Sequence, residues 1–173
     1  QEKARKALSW PQDKKIVLFF GLIRKYKGLD LLIEAFSKNP LNRSGVILAI
    51  VGEAYEPQQK YTELIQKLNL NERIICDFDY ANTQKSCKVF CAADVIAQTY
   101  ISATQSGVTP LAYHFQTPLL VSDLAGLRTP ILEDQTGMIT EINAKKLNGR
   151  IAWWGRVVDS GVRSIIKKKK TPL

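Results

Sequence analysis

Apolar residues fall into short unbroken runs, separated by stretches in which they recur at helical spacing. Ile16–Phe20 and Val46–Val51 are continuous apolar runs, the second stopped by Gly52. Shorter runs occupy Arg73–Cys76, Val95–Gln98, Leu119–Ser122 and Met138–Thr140. Between them lie Leu29, Leu32, Ile33 and Phe36 within Gly28–Lys38, and Tyr61, Leu64, Ile65 and Leu68 within Gln58–Leu68. The runs predict strands and the three- and four-residue spacing predicts helices. Further helices are expected over Thr83–Ala93, from about Gly107 to Phe115, and from Asn143 to about Val158, the last weakened by Gly149 and Gly155. Strands joined by connections of helical length must run parallel. Continuous rather than alternating apolar strands indicate a sheet covered on both faces. The expected fold is a doubly wound, Rossmann-like α/β sheet with helices on both sides.

A length of 173 residues with 45% hydrophobic content supports one domain with a proper core. Gln1 at the start suggests a fragment or a processed piece. The formal charge of +9 favours anionic partners, although part of it sits in the run Lys167 to Lys170, which reads as a solvated end. Cys76, Cys87 and Cys91 cannot all pair within one chain, and with His114 as the one imidazole they make a poor zinc set. They are expected to be buried reduced thiols in a cytosolic protein. No apolar run approaches the ~18 residues of a membrane span, and no signal peptide is visible.

The densest chemistry lies in Gly21-Leu22-Ile23-Arg24-Lys25-Tyr26-Lys27-Gly28, between a strand and a helix. Arg24, Lys25 and Lys27 thereby sit at the carboxyl edge of a strand, beside a helix N-terminus whose free N–H groups and dipole favour an anion such as phosphate. The same cations are compatible with a merely solvated surface. No Walker pattern and no G-x-G-x-x-G follows a strand, which argues against simple mononucleotide and dinucleotide sites. A second polar loop, Tyr100 to Ser106, leads into a helix containing Pro110. Proline is tolerated only in the first turn, so that helix should start at Ser106 or Gly107. Its free amides and the neighbouring hydroxyls offer a second anion site, and Ser106 reads equally as an ordinary N-cap. Ligands in such sheets lie outside the carboxyl ends of the strands. The loops Gly21–Gly28, Gly52–Pro57 and Tyr100–Gly107 should meet there, two of them gripping one diphosphate.

The segment Phe20-Gly21-Leu22-Ile23-Arg24-Lys25-Tyr26-Lys27-Gly28-Leu29-Asp30-Leu31-Leu32-Ile33-Glu34-Ala35-Phe36 resembles the opening of the nucleotide-sugar domain in glycosyltransferase family 4. Ile50-Val51-Gly52-Glu53, Ala92-Ala93-Asp94-Val95, Ser102-Ala103-Thr104-Gln105-Ser106-Gly107-Val108 and Pro118-Leu119-Leu120-Val121-Ser122-Asp123-Leu124-Ala125-Gly126-Leu127 follow in the family's order. The likeness runs from about Lys14 to Gly137.

The resemblance implies a GT-B fold, two Rossmann-like domains across a cleft, of which this chain is the C-terminal, donor-binding half. Residues 1–173 would form that single domain, with a core at about 14–142 and a helical tail at 143–173, the N-terminal acceptor domain being absent from this chain. The implied reaction moves a hexose from a nucleoside diphosphate sugar to a glycan or lipid-linked acceptor, with retention and with no metal or other cofactor. The implied location is the cytoplasm or the inner face of the membrane, and the chain alone is expected to be inactive.

In the family an arginine and a lysine of the first loop hold the donor diphosphate. Lys27 matches the lysine, whereas Leu22 occupies the arginine's usual position and Arg24 lies two residues beyond it. Arg24 and Lys27 are the catalytic candidates. Gly21, Glu53, Tyr80, Thr104, Gln105, Ser106, Gly107 and Val108 make up the donor-binding set. The family's Glu-x7-Glu carboxylates fall here on Ala103 and Leu111, which offer no side-chain acceptor. The Ser102–Gly107 loop looks like a variant in which Thr104, Gln105 and backbone amides supply the polar contacts.

Trp153 and Trp154, flanked by Arg150 and Arg156, have no counterpart in the family pattern. Adjacent tryptophans cannot share one helix face, so at least one should lie near an edge, either packing between domains or anchoring at a headgroup layer. A competing reading is a non-catalytic basic module for anionic lipid or nucleic acid. Nucleic acid is not expected, because the chain lacks an aromatic stacking platform and a helix patterned for the major groove.

Overall fold

The computed structural model of the protein describes residues 1–157. Strands β1 (Lys15–Phe20), β2 (Val46–Val51), β3 (Ile74–Asp77), β4 (Val95–Gln98), β5 (Leu119–Ser122) and β6 (Gly137–Thr140) form one sheet in the order β3-β2-β1-β4-β5-β6. Every neighbouring pair is parallel, with Lys15 to Phe20 in register with Val46 to Val51 at the centre. The helices are α1 (Glu2–Ala7), α2 (Leu29–Ser37), α3 (Gln59–Lys67), α4 (Thr83–Ala92), α5 (Val108–His114), α6 (Ala125–Asp134) and α7 (Ala144–Val157).

Period-two alternation divides each strand between two cores. Val17, Phe19, Leu48 and Ile50 face α2, α3 and α7, where Leu32, Phe36, Tyr61, Leu147 and Trp154 pack. Ile16, Leu18, Ala49 and Val51 face the other layer, with Phe90 of α4, Ala112 of α5 and Leu127 and Ile131 of α6. All six residues of β2 are buried, as a sheet covered on both faces requires.

Helices α1 and α6 are additions to the sequence reading. In α6, Pro130 sits inside the helix and only Leu127 and Ile131 are buried, so no apolar stripe announces it. Helix α1 is fastened through Gln1, whose Nε2 donates to Asp94 at 2.7 Å, through Ala4 packed on the core, and through Arg5. Arg5 donates to the carbonyls of Ala92 and Lys14, each at 2.9 Å, and pairs with Asp94, which also accepts the Ile16 amide at 2.7 Å. The Ala-Ala-Asp-Val segment therefore serves the architecture, because its Asp94 fastens α1 to β1.

The cysteines correct an expectation. Cys76, Cys87 and Cys91 are free but exposed rather than buried. Cys76 lies on edge strand β3, and Val89, Phe90 and Ala92 take the inward side of α4, leaving Cys87 and Cys91 outside. The tryptophan pair divides as expected, Trp154 being 2% exposed and Trp153 46%. The expected helical end at Val158 and the Lys167 to Lys170 run lie outside the described residues.

Candidate functional site

The strand order places a topological switch between β1 and β4, since the chain runs outward from β1 through β2 and β3 and then returns to β4. Loops leaving adjacent strands in opposite directions open a crevice at their carboxyl ends. The three loops expected to meet do so. The Ile23 amide donates to the Glu53 carbonyl at 2.8 Å and the Tyr55 amide to the Ile23 carbonyl at 3.0 Å. On the other side the Ile101 amide donates to the Tyr26 carbonyl at 2.7 Å. Thr99 hydroxyl donates to the carbonyls of Lys27 and Gly28 at 3.1 and 3.3 Å.

Within this frame Lys27 closes a short 3₁₀ turn, Lys25–Lys27, and is 7% exposed. Its Nζ lies 5.4 Å from the centre of the Tyr100 ring. Desolvation, with a lesser contribution from the Arg24 charge, pulls its pKa down from 10.5 to about 8. No carboxylate pairs with it among the described residues. Gly21, with φ of 101°, makes room for it: a Cβ there would stand 3.3 Å from Lys27 Nζ and 3.7 Å from Val108 Cγ2. The ammonium and the first residue of α5 thus flank one small space over Gly21. A buried, unpaired cation over a bare glycine is chemically a receptor for an anion.

Helix α5 begins at Val108, within one residue of the expected start, and Pro110 falls in its first turn. Ser106 Oγ accepts the Val108 amide at 3.2 Å, but the N-cap position falls on Gly107, which brings no side-chain cap, so Ser106 is a turn residue one position earlier. The same oxygen lies 3.1 Å from Tyr100 Oη and 3.4 Å from Gln98 Nε2, and Gln98 also exchanges hydrogen bonds with Thr109 at 3.2 Å. Gln98 and Thr99 are neighbours of this site that sequence reasoning passed over, and Tyr100, which opens the expected loop, was not singled out as a contact. The signal for Gln98 and Thr99 is polarity at the end of an otherwise apolar strand.

The remaining candidates are spread around this centre. Arg24 turns away from Gly21 to lie over the Tyr55 ring at 4.6 Å, lining a recess of about 660 Å³ with Lys25, Tyr26, Glu56 and Ile101. Thr104, Gln105 and Gly107 are exposed on the loop before α5. Glu53 and Tyr80 stand exposed on neighbouring loops, and neither side chain makes a hydrogen bond or ion pair among the described residues. Ala103 is half-buried and Leu111 exposed. No three His, Cys, Asp or Glu side chains gather as a metal site among the described residues.

A parallel sheet in this order, with a lysine-bearing loop at its switch point, is the architecture of Rossmann-like phosphate-binding domains. The chain matches the profile of Glycosyl transferases group 1 over residues 1–157 and belongs to that family. It is 27% identical over 143 residues to the D-inositol 3-phosphate glycosyltransferase of Corynebacterium aurimucosum, covering 80% of this chain and 34% of that protein. It thus spans about a third of the length of the curated relatives it matches. Among solved structures it is similar to Anabaena Alr3699/HepE in complex with UDP, with 19% identity and a TM-score of 0.77, over 95% of this chain and 44% of that one. It is also similar to the C-terminal domain of the glycosyl transferase group 1 family protein LpcC from Francisella tularensis, with 18% identity and a TM-score of 0.75, over 99% and 93% of the two chains. At these identities the structures establish the fold alone, a Rossmann-like α/β sheet matching those of GT-B glycosyltransferase structures.

Proposed function

We propose that this chain is the C-terminal, donor-binding half of a family 4 glycosyltransferase that moves a hexose from a nucleoside diphosphate sugar to a glycan or lipid-linked acceptor, with retention and without a metal. The observation that carries the reading is Lys27, a desolvated ammonium with no carboxylate partner among the described residues, set against Gly21 beside the start of α5. The UDP named with the Anabaena structure supports a nucleotide-sugar partner, and the LpcC domain's description supports the C-terminal placement.

In this mechanism the chain's own work is leaving-group stabilisation. Charge grows on the departing diphosphate, and Lys27, with the Gly107 amide, opposes it. Arg24 lies over the Tyr55 ring and is the second cation this loop offers to the phosphates. With Ala103 and Leu111 at the carboxylate positions, Thr104, Gln105 and backbone amides supply the sugar and ribose contacts.

Calorimetric titration of UDP, GDP and ADP tests the reading, with micromolar to millimolar binding of one of them expected and no response to any overturning it. In the full-length enzyme, Lys27→Ala should cost about 2–4 kcal/mol of transition-state stabilisation. It should lower turnover far more than the unfolding midpoint. Residues 1–173 alone should transfer no label from a radioactive donor, because the acceptor-side domain completes the site.

One observation favours an additional membrane contact. Helix α7 contains no acidic residue, and Arg150, Trp153 and Arg156 are exposed along it. No helix among the described residues is long and apolar enough to cross a membrane, so the contact would be peripheral, at the cytoplasmic face. Co-sedimentation with phosphatidylserine vesicles that disappears at high salt is the expected result; equal recovery with neutral vesicles would refute it.

A further inference from the structure

Resting on the diphosphate reading above, we propose that Tyr100 is a positioning residue that joins the two anion-binding turns, its ring supporting the Lys27 ammonium and its hydroxyl holding Ser106 and, through Ser106, the first amide of α5. Tyr100 follows β4 at the switch point and is 3% exposed. Its position is fixed from both sides. Thr99 ties the chain before it to the Lys27 and Gly28 carbonyls, and the Ile101 amide ties the chain after it to Tyr26, whose ring meets Tyr100 edge-on at 6.0 Å.

Ser106 Oγ accepts from the Val108 amide at 3.2 Å, lies 3.4 Å from Gln98 Nε2 and shares a hydrogen bond of 3.1 Å with Tyr100 Oη, in which either hydroxyl can donate. Desolvation raises the Tyr100 pKa and the Ser106 contact opposes that rise. The ring has a second role. Its face carries Lys27 Nζ at 5.4 Å, an attraction that grows when water is excluded. One buried side chain therefore reaches both the cationic turn and the helix start, which also flank the space over Gly21.

Substitutions separate the two roles in the 173-residue chain, with inorganic pyrophosphate as the probe. Tyr100→Phe keeps the ring and removes the oxygen, Ser106→Ala removes the hydroxyl partner, and both are nearly isosteric. Each should weaken pyrophosphate binding about fivefold, as loss of one neutral hydrogen bond does, and the double variant should lose no more than either single one. The Lys27 titration, followed by NMR of labelled lysine side chains, should stay near 8 in Tyr100→Phe. It should move downward in Tyr100→Leu, which keeps an apolar wall and removes the ring's attraction. Arg24 and Tyr100 are the charged and titratable groups set against Lys27, so this readout is specific to the ring.

Additive losses in the double variant, or wild-type affinity in Tyr100→Phe, overturn the proposal. An unmoved Lys27 titration in Tyr100→Leu also overturns it. Binding of pyrophosphate without UDP, GDP or ADP defeats the donor reading and leaves the role of Tyr100 standing. Binding of none of these ligands defeats both.

Discussion

Lys27 concentrates the chemistry of this chain because its surroundings leave its charge poorly compensated. Burial is the larger cause of its depressed pKa and Arg24 the smaller. Two opposite pH dependences follow. Anion binding needs the ammonium, so affinity for UDP should fall about tenfold per pH unit above 8, and Lys27→Arg should flatten that profile because a guanidinium stays charged. Folding runs the other way. Between about 8 and 10.5 the unfolded chain holds a proton on Lys27 that the folded chain has released, so this residue's contribution to stability rises with pH across that window. Calorimetry from pH 7 to 9.5 checks the first, and urea unfolding over the same range the second. The position of Lys27 at the carboxyl edge of the sheet was legible in the sequence because a glycine, a strand and a helix frame it locally. The placement of Arg24 was not, because its partner Tyr55 belongs to the loop after the next strand, and no local pattern links the two.

Among the elements, the loop before α5 depends on a helix that periodicity failed to announce. Gly126, in the first turn of α6, lies so close to that loop that a Cβ would overlap the Thr104 carbonyl. Gly126→Ala should therefore displace the Ser102–Gly107 loop, destabilise the fold by about 1–3 kcal/mol and weaken nucleotide binding together. Gly149 gives the contrast. It is exposed in α7 with open space around its Cα, so Gly149→Ala should stabilise the fold by about 0.5–1 kcal/mol and leave binding alone. Thermal unfolding and UDP titration of both variants discriminate the cases. The start of α5 was readable to within a residue because Pro110 admits few positions, a constraint of the single residue's chemistry. Helix α6 stayed hidden because Pro130 and a thin apolar stripe remove both usual signals.

Across the full architecture, one buried ion pair joins distant parts of the chain. Arg5 and Asp94 side chains are 6% and 7% exposed, and Asp94 also receives the amide of Ile16 on β1. Asp94→Asn leaves a buried guanidinium without its counter-charge, and urea unfolding should register a loss of about 3–5 kcal/mol. Glu2→Gln, which breaks the exposed pair with Lys6, should change almost nothing. Strands β1 to β6, helices α2 to α5 and α7, the parallel sheet and the first glycine loop could be read from the chain, because apolar spacing, connection length and turn chemistry act over a few neighbouring residues. That Tyr100 stands between Lys27 and Ser106, that Arg24 rests on Tyr55 and that Asp94 answers Arg5 emerged only on folding. Those meetings depend on which strands lie side by side, a choice made by packing across the whole sheet and written in no single segment of the chain.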